Sequence, residues 1–312
     1  MANVNQNHMR LNKFNIHISA RKLWVKFAIK ILMNNISKNQ EKKWHEILQN
    51  NLAAYPDDDI GREIAIFGNY EELEISTIEY LIDAGVISIN KNSIFMDIGA
   101  NIGIYTCRLN GKFPSIYAFE PHPITSDLLE FNLKSNNIDN VKLYRYALSD
   151  ESKDLLLVDE LKQNRGASSI KEGNQTKNNQ KSYSIKAKKG DDILTSQEID
   201  KVAFIKIDVE GHEISAIKGC QDIILKSKPV IAFEANNPDK NGILMDELSK
   251  LNYDIFVTIQ PKKRNVMKIF HEIRHSIFGR NYSFHQVNRN DISTTKYQIV
   301  FAIPSREKIS YY

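Results

Sequence analysis

The chain has little of what stabilises small secreted proteins. It holds 2 cysteines in 312 residues, Cys107 and Cys220, too few for a disulfide framework, and neither sits in a Cys-x-x-Cys or Cys/His zinc spacing. Reduced thiols follow, and with them an intracellular, cytoplasmic setting. No stretch approaches the roughly 18 apolar residues of a spanning helix, and the N-terminus lacks the basic, apolar, small-residue order of a secretory leader. Charge of one sign is also scarce: a formal net charge of +4 disfavours nucleic acid as the partner. No Gly-x-Gly-x-x-Gly, no Gly-x-x-x-x-Gly-Lys-Ser/Thr and no Tyr-x-x-x-Lys occurs, which counts against dinucleotide, triphosphate and short-chain oxidoreductase chemistry. An internal repeat is absent as well.

What is present is a globular composition, 42% hydrophobic and 26% charged, enough for a sizeable core. Residues 1–50 form a basic Asn/Lys-rich extension in which Leu23, Trp24, Phe27, Ile31 and Leu32 recur at helical spacing. An amphipathic helix over 21–33 could dock on the catalytic domain or rest on an anionic membrane surface as a peripheral contact. Residues 51–92 read as a helical lead-in, with Leu73, Thr77, Tyr80 and Leu81 on one helix and Gly85 at its C-terminal cap. From residue 93 to 312 apolar runs alternate with helical segments. Seven strands fit: 93–98, 115–119, 141–147, 202–207, 229–233, 253–259 and 297–303. The first five lack clean alternation, as in a parallel sheet covered by helices on both faces. The last is expected to run antiparallel. Insertions are expected at about 154–194, with ends able to pair as a hairpin, and at about 260–290.

The chemistry is concentrated at strand ends. Asp97, Gly99, Ala100, Asn101 and Gly103 form a glycine turn after the first strand, opening a helix. Glycines let backbone approach a ligand, and the helix start offers free N–H groups. An acidic residue there would repel a pyrophosphate but suits a cationic ligand. Glu120, followed by Pro121, ends the second strand where a carboxylate can accept both ribose hydroxyls of an adenosine ligand; Asp150, after the third strand, is placed to reach an adenine amino group or to serve only as a turn residue. At the end of the fourth strand stand Asp208, Glu210 and His212. His212 is the first candidate for a general base that takes a hydroxyl proton, with Glu210 or Asp208 orienting it or taking the proton instead. A divalent cation on Asp208, Glu210, His212 and Glu234 is a lesser alternative; no metal is expected.

Residues 97–103, Glu120-Pro121, Gly166-Ala167-Ser168-Ser169, residues 206–213 and Glu234 together resemble the FkbM family of methyltransferases. Lys189-Gly190-Asp191-Asp192 departs from the family, which more often places a Leu before the acidic pair. The resemblance implies a Rossmann-like class I methyltransferase α/β fold and S-adenosylmethionine as donor. It also implies O-methylation of a sugar, glycan or polyketide-like hydroxyl. By the same resemblance Asp97, Gly99, Asn101, Gly103 and Glu120 line the cofactor, while Asp208, Glu210 and His212 lie at the reaction centre.

Three rivals remain at this level: an NAD(P)-dependent oxidoreductase on the same fold, an N-methyltransferase, and a zinc hydrolase through His271, Glu272 and His275. The last is weakened by Phe278 where a metzincin needs Gly, and by the basic residues around it. That segment interleaves Lys262, Lys263, Arg264 and Arg280 with Phe270, Phe278, Tyr282 and Phe284. It suggests a lid over an anionic glycan acceptor, its rings stacking on sugars.

Overall fold

The structure, a computed structural model, describes residues 16–18, 52–56, 58–67, 70–161, 164–171, 180–261 and 280–305. The proposed helix at 21–33, the aromatic and basic residues of 262–279 and the His271/Glu272/His275 motif therefore lie outside the described residues.

Among those described, the strands in chain order are β1 (Ile16–Ile18), β2 (Ile94–Ile98), β3 (Ser115–Phe119), β4 (Val141–Tyr144), β5 (Ala147–Ser149), β6 (Lys153–Leu161), β7 (Asn164–Lys171), β8 (Ser182–Lys189), β9 (Val202–Ile207), β10 (Val230–Ala235), β11 (Tyr253–Pro261), β12 (Arg280–Gln286) and β13 (Tyr297–Pro304). The helices are α1 (Asp59–Phe67), α2 (Glu72–Asp83), α3 (Ile104–Leu109), α4 (Pro123–Ser135), α5 (Glu213–Gly219), α6 (Gln221–Ser227), α7 (Pro238–Lys250) and α8 (Arg289–Thr294). No helix among the described residues is long and apolar enough to cross a membrane.

The main sheet runs β1-β12-β11-β13-β10-β9-β2-β3-β4. Pairing is parallel from β10 through β9, β2 and β3 to β4, and β13 enters antiparallel between β10 and β11. This is the mostly parallel Rossmann-like sheet with a reversed final strand that the sequence predicts. All five residues of β2 are buried because each face is covered. Phe95 and Phe204 face Ile64, Ile75 and Ile78 of α1 and α2, with ring centroids 5.1 Å apart. Met96 and Ile205 face Ile217 and Ile224 of α5 and α6. Each such side chain contributes roughly 1.5–3 kcal/mol by leaving water.

Four details correct the sequence reading. Among the described residues the sheet has nine strands, not seven, because β12 and β1 extend the β11 edge. Tyr282 and Phe284, assigned to a sugar-stacking lid, are buried on β12, where Phe284 packs against the core formed by α1, α2 and β13. The run 141–147 breaks at Arg145, whose guanidinium turns to Ser126, Asp127 and Glu130 of α4; β5 then leaves for a second sheet of order β5-β8-β6-β7. The ends of the 154–194 insertion do pair antiparallel as expected, Asp154 opposite Lys186 in β6 and β8, and β7 adds to the other edge of β6. On α2 Thr77 and Leu81 are buried as expected, together with Ile75 and Ile78, whereas Leu73 and Tyr80 are only half-buried.

Candidate functional site

The carboxyl ends of β2, β3, β9 and β10 converge on a cavity of about 190 Å³. Open α/β sheets bind ligands there, because the strand order reverses about β2 and the loops diverge. The wall at β2 is the glycine turn. Gly99, Asn101 and Gly103 all have positive φ, +80°, 51° and +91°. At Gly99 a Cβ would lie 1.8 Å from the Asp208 carbonyl oxygen, so only glycine lets the turn press on the end of β9. Asp208 N in turn donates to Ile98 O at 2.9 Å. Gly99, Ala100 and Asn101 line the cavity; Gly103 does not. A Cβ there would meet Leu129 of α4 at 2.3 Å, so Gly103 serves packing.

Asp97 also departs from expectation. Its carboxylate is fully buried behind the turn and is not part of the cavity wall. Side chains alternate along β2, so Ile98 faces the cavity and Asp97 faces α3, where Thr106 Oγ1 donates to Oδ2 at 2.6 Å. Burial raises its pKa, opposed by the Lys206 ammonium and the Thr106 hydroxyl. Oδ1 has no hydrogen-bond partner.

Glu120 ends β3 inside the cavity beside Pro121. Asn101 N donates to Oε2 at 2.9 Å and His122 N to Oε1 at 2.8 Å. Burial nevertheless pushes its carboxyl up to about 7, against those two hydrogen bonds. Each oxygen keeps acceptor capacity for a further donor. Asp150 is exposed, outside the cavity, and accepts from Ser149 Oγ at 2.9 Å. The backbone leaves β4 at Arg145, so the cavity floor at this point is Ala147 and Leu148, not Asp150.

The end of β9 supplies the opposite wall. Asp208, Glu210 and His212 all line the cavity. Glu210 and Gly211 take consecutive left-handed φ values, 44° and 92°, which turn the chain sharply into α5. His212 Nε2 lies 3.1 Å from Ser149 Oγ, so its ring is turned toward β5. Lys206 was not singled out by itself from the sequence, yet it is the cation of the site. It is 6% exposed, its Nζ sits 2.9 Å from Asp208 Oδ2, and it lies 4.2 Å above the Tyr105 ring. Salt bridge and ring together hold it charged in a buried place, and its pKa is raised. Glu234, at the end of β10, accepts from Asn236 Nδ2. Burial, Asp208 and Glu210 push it up to about 8.

Sequence reasoning missed Tyr70, Glu71, Tyr105 and His122, all in the cavity wall. His122 could have been found: it directly precedes Pro123 at a helix start, and its Nδ1 accepts from Thr125 N as the α4 cap. Ser168, part of the Gly166–Ser169 motif, also reaches the cavity and donates to Asp159 Oδ1 at 2.8 Å. In the departing Lys189–Asp192 stretch, Asp191 accepts from Asp222 N and Ile223 N at the start of α6, a structural cap. No group of three or more His, Cys, Asp or Glu side chains among the described residues is arranged to hold a metal ion. Asp208, Glu210, His212 and Glu234 therefore do not form the ligand set considered above.

The sequence profile of the methyltransferase FkbM domain matches residues 97–284, more than half of the chain. The chain belongs to the FkbM methyltransferase family. The matched residues begin at Asp97, inside β2, so α1, α2 and the Tyr70–Glu71 corner lie ahead of them in the chain. Similar proteins include the hexuronic acid methyltransferase AglP of Haloferax volcanii, 29% identical over 172 residues, which are 53% of this chain and 68% of that one. Methyltransferase sdnD of Sordaria araneosa is 27% identical over 165 residues, 44% of this chain and 64% of the relative. The crystal structure of an FkbM methyltransferase from Methylobacillus flagellatus aligns with a TM-score of 0.39 at 15% identity, covering 84% of this chain and 55% of that one.

Proposed function

We propose that this FkbM protein transfers the methyl group of S-adenosylmethionine to a hydroxyl of a sugar or surface glycan precursor. The observation that carries the reading is the cavity itself: a glycine turn against the β9 backbone, an apolar floor at Ala147 and Leu148, and Glu120 at the end of β3. These residues fit an adenosine-type donor. Glu120 has acceptor capacity for ribose hydroxyls, and the remaining wall is rich in carboxylates, which favours a cationic ligand over a phosphate. Bound there, S-adenosylmethionine supplies an electrophilic methyl carbon on a positively charged sulfur. What the chain contributes is position, exclusion of water and a place for the acceptor's proton. Asp208, Glu210 and His212 line the same cavity, within the space an acceptor would enter.

The Haloferax volcanii relative is named for methylation of a hexuronic acid, which supports a sugar as the acceptor class here. Calorimetric titration with S-adenosylmethionine, S-adenosylhomocysteine and NADH tests the donor. Micromolar binding of the two sulfur compounds without NADH is the expected result; NADH binding alone would replace this reading with a nicotinamide enzyme. Transfer of radiolabelled methyl to a panel of methyl glycosides then tests the acceptor class, and labelling of amino sugars on nitrogen alone would turn it into an N-methyltransferase.

A further inference from the structure

We infer that Glu71, delivered by the segment before the FkbM domain, is the residue that takes the acceptor's proton. The inference rests on the methyl-transfer reading above. Glu71 lines the main cavity and also a side recess of about 10 Å³ that it shares with Tyr105, Lys206 and Glu234. A recess of that size holds about one water. Glu71 precedes the first residue of α2 with a left-handed φ of 50°, and its side chain makes no helix-capping bond. A non-glycine residue in that conformation costs about 1–2 kcal/mol, and such strain is retained where the surroundings fix a side chain in place. Here Glu71 shares the recess with Tyr105, and the face of that ring carries the Lys206 ammonium.

The charges around Glu71 are compatible with its accepting a proton. Lys206 faces Asp208, Glu71 and Asp97, but its direct partner at 2.9 Å is Asp208. Glu71 therefore has only part of one positive charge. Burial, Asp208 and Glu74 raise its pKa to about 7, while Lys206 and the Tyr105 hydroxyl hold it down. Glu234, which also lines the recess, is pushed higher by burial, Asp208 and Glu210; Tyr70 and Tyr105 are raised by burial and by Glu71. His212 is turned to Ser149. A base with a pKa near the working pH is the efficient one. In the transfer, a lone pair of the hydroxyl oxygen forms the O–C bond, and the C–S pair returns to sulfur. The hydroxyl proton passes to a Glu71 carboxylate oxygen, leaving a neutral acid that loses the proton to solvent when products depart.

The test compares wild type with Glu71→Gln in transfer of labelled methyl from S-adenosylmethionine to methyl α-D-glucopyranoside and methyl β-D-glucuronide across pH 5.5–9. We expect kcat to fall on the order of 10²-fold or more, with donor affinity changed less than threefold. The wild-type rise in rate near pH 7 should vanish in Glu71→Gln and persist in His212→Ala, whatever the latter's turnover. Turnover of Glu71→Gln within twofold of wild type, with the rise intact, overturns the inference. Thermal melting, expected unchanged because Gln matches Glu in size, separates loss of the base from loss of the fold. If Glu71→Gln does melt early, Glu71→Asp should restore both melting and part of the pH-dependent rate. If wild type methylates neither glycoside, the functional reading fails for those acceptors, and carbon-13 NMR of the glutamate carboxyls decides Glu71 separately. A resonance lost in Glu71→Gln that titrates near 7 upholds it as a proton acceptor in the cavity, and one that titrates near 4 overturns it.

Discussion

Replacing Gly99 with alanine changes one methyl group at the one point where the glycine turn touches the end of β9. Two costs follow from the geometry. The residue sits at φ +80°, a conformation that costs an L side chain about 1–2 kcal/mol. The new Cβ would also stand 1.8 Å from the Asp208 carbonyl oxygen, a backbone atom of a residue whose N–H is tied to Ile98 O at 2.9 Å. Forcing a methyl into such a contact costs a further ~1–3 kcal/mol. We expect Gly99→Ala to lose about 3 kcal/mol, roughly 5 °C in Tm for a chain of this size. With the donor against this turn as proposed, S-adenosylhomocysteine affinity should fall at least tenfold. Gly111→Ala is the internal control: nothing lies within 4 Å of its Cβ, so Tm should stay within about 2 °C. Scanning calorimetry and isothermal titration read both variants. If Gly99→Ala melts with Gly111→Ala and binds S-adenosylhomocysteine like wild type, the close approach of the two strand ends is wrong, and the cavity with it.

Stability should depend on pH through Glu120. Its folded pKa of about 7 lies above the unfolded value of 4.5, so the folded form binds the proton more tightly; the resulting stability is full below pH 4.5 and is lost as pH rises through 7, by about 3 kcal/mol. Urea titrations between pH 5 and 8 should show that decline, and no decline would remove Glu120 from its buried site. Donor binding should run the other way: ribose hydroxyls favour the ionised carboxylate, so affinity for S-adenosylhomocysteine should rise between pH 6 and 8, and a flat profile would refute the ribose assignment. Asp97→Ala, by removing a buried carboxylate that faces Lys206 and Thr106, should cost about 3 kcal/mol of stability; loss of donor affinity with stability unchanged would return Asp97 to the cavity wall. Phe204→Ala, emptying a site between Phe95 and Phe113, should cost about 3–5 kcal/mol in chemical denaturation, and a cost below 1 would contradict the two-faced core.

How much of this was legible depends on whether a residue acts through its neighbours in sequence or through the sheet. The strands β2, β3, β9, β10 and β13 announce themselves as short Ile/Val/Phe runs, because burial on both faces leaves no other composition open to them. The glycine turn, Glu120 and the Asp208–His212 run sit directly at strand ends, so their arrival in one cavity follows from strand order alone. Alternation decides finer questions that a motif does not. Asp97 belongs to the same motif as Gly99, but one residue along β2 is one face of the sheet, and it lands behind the wall. Asp150 was lost for a related reason: after the break at Arg145 the chain meets the cavity at Ala147 and Leu148, and Asp150, two residues further on, is exposed outside it. Tyr282 and Phe284 were misread because aromatic residues beside basic ones look like a ligand surface until a strand partner is known for them.

Glu71 is the hardest case, and its difficulty has a physical cause. An acidic residue ahead of a helix is expected for the macrodipole alone, and the sequence offers Glu71, Glu72 and Glu74 together. Only contacts distant in sequence separate them. Glu72 and Glu74 follow Glu71 into α2, whereas Glu71 takes the left-handed turn that sends its carboxylate to Tyr105 on α3 and Lys206 on β9. Neither partner is close to it in the chain, and the family's matched region starts after it. On the proposed reading Gly99, Asn101 and Glu120, on the donor side, lie within the matched residues, whereas Glu71 lies ahead of them. Exchanging residues 52–92 for the corresponding lead-in of another FkbM protein should therefore alter acceptor choice while leaving S-adenosylmethionine affinity within a few fold. Equal loss of both would mean that the lead-in merely supports the fold.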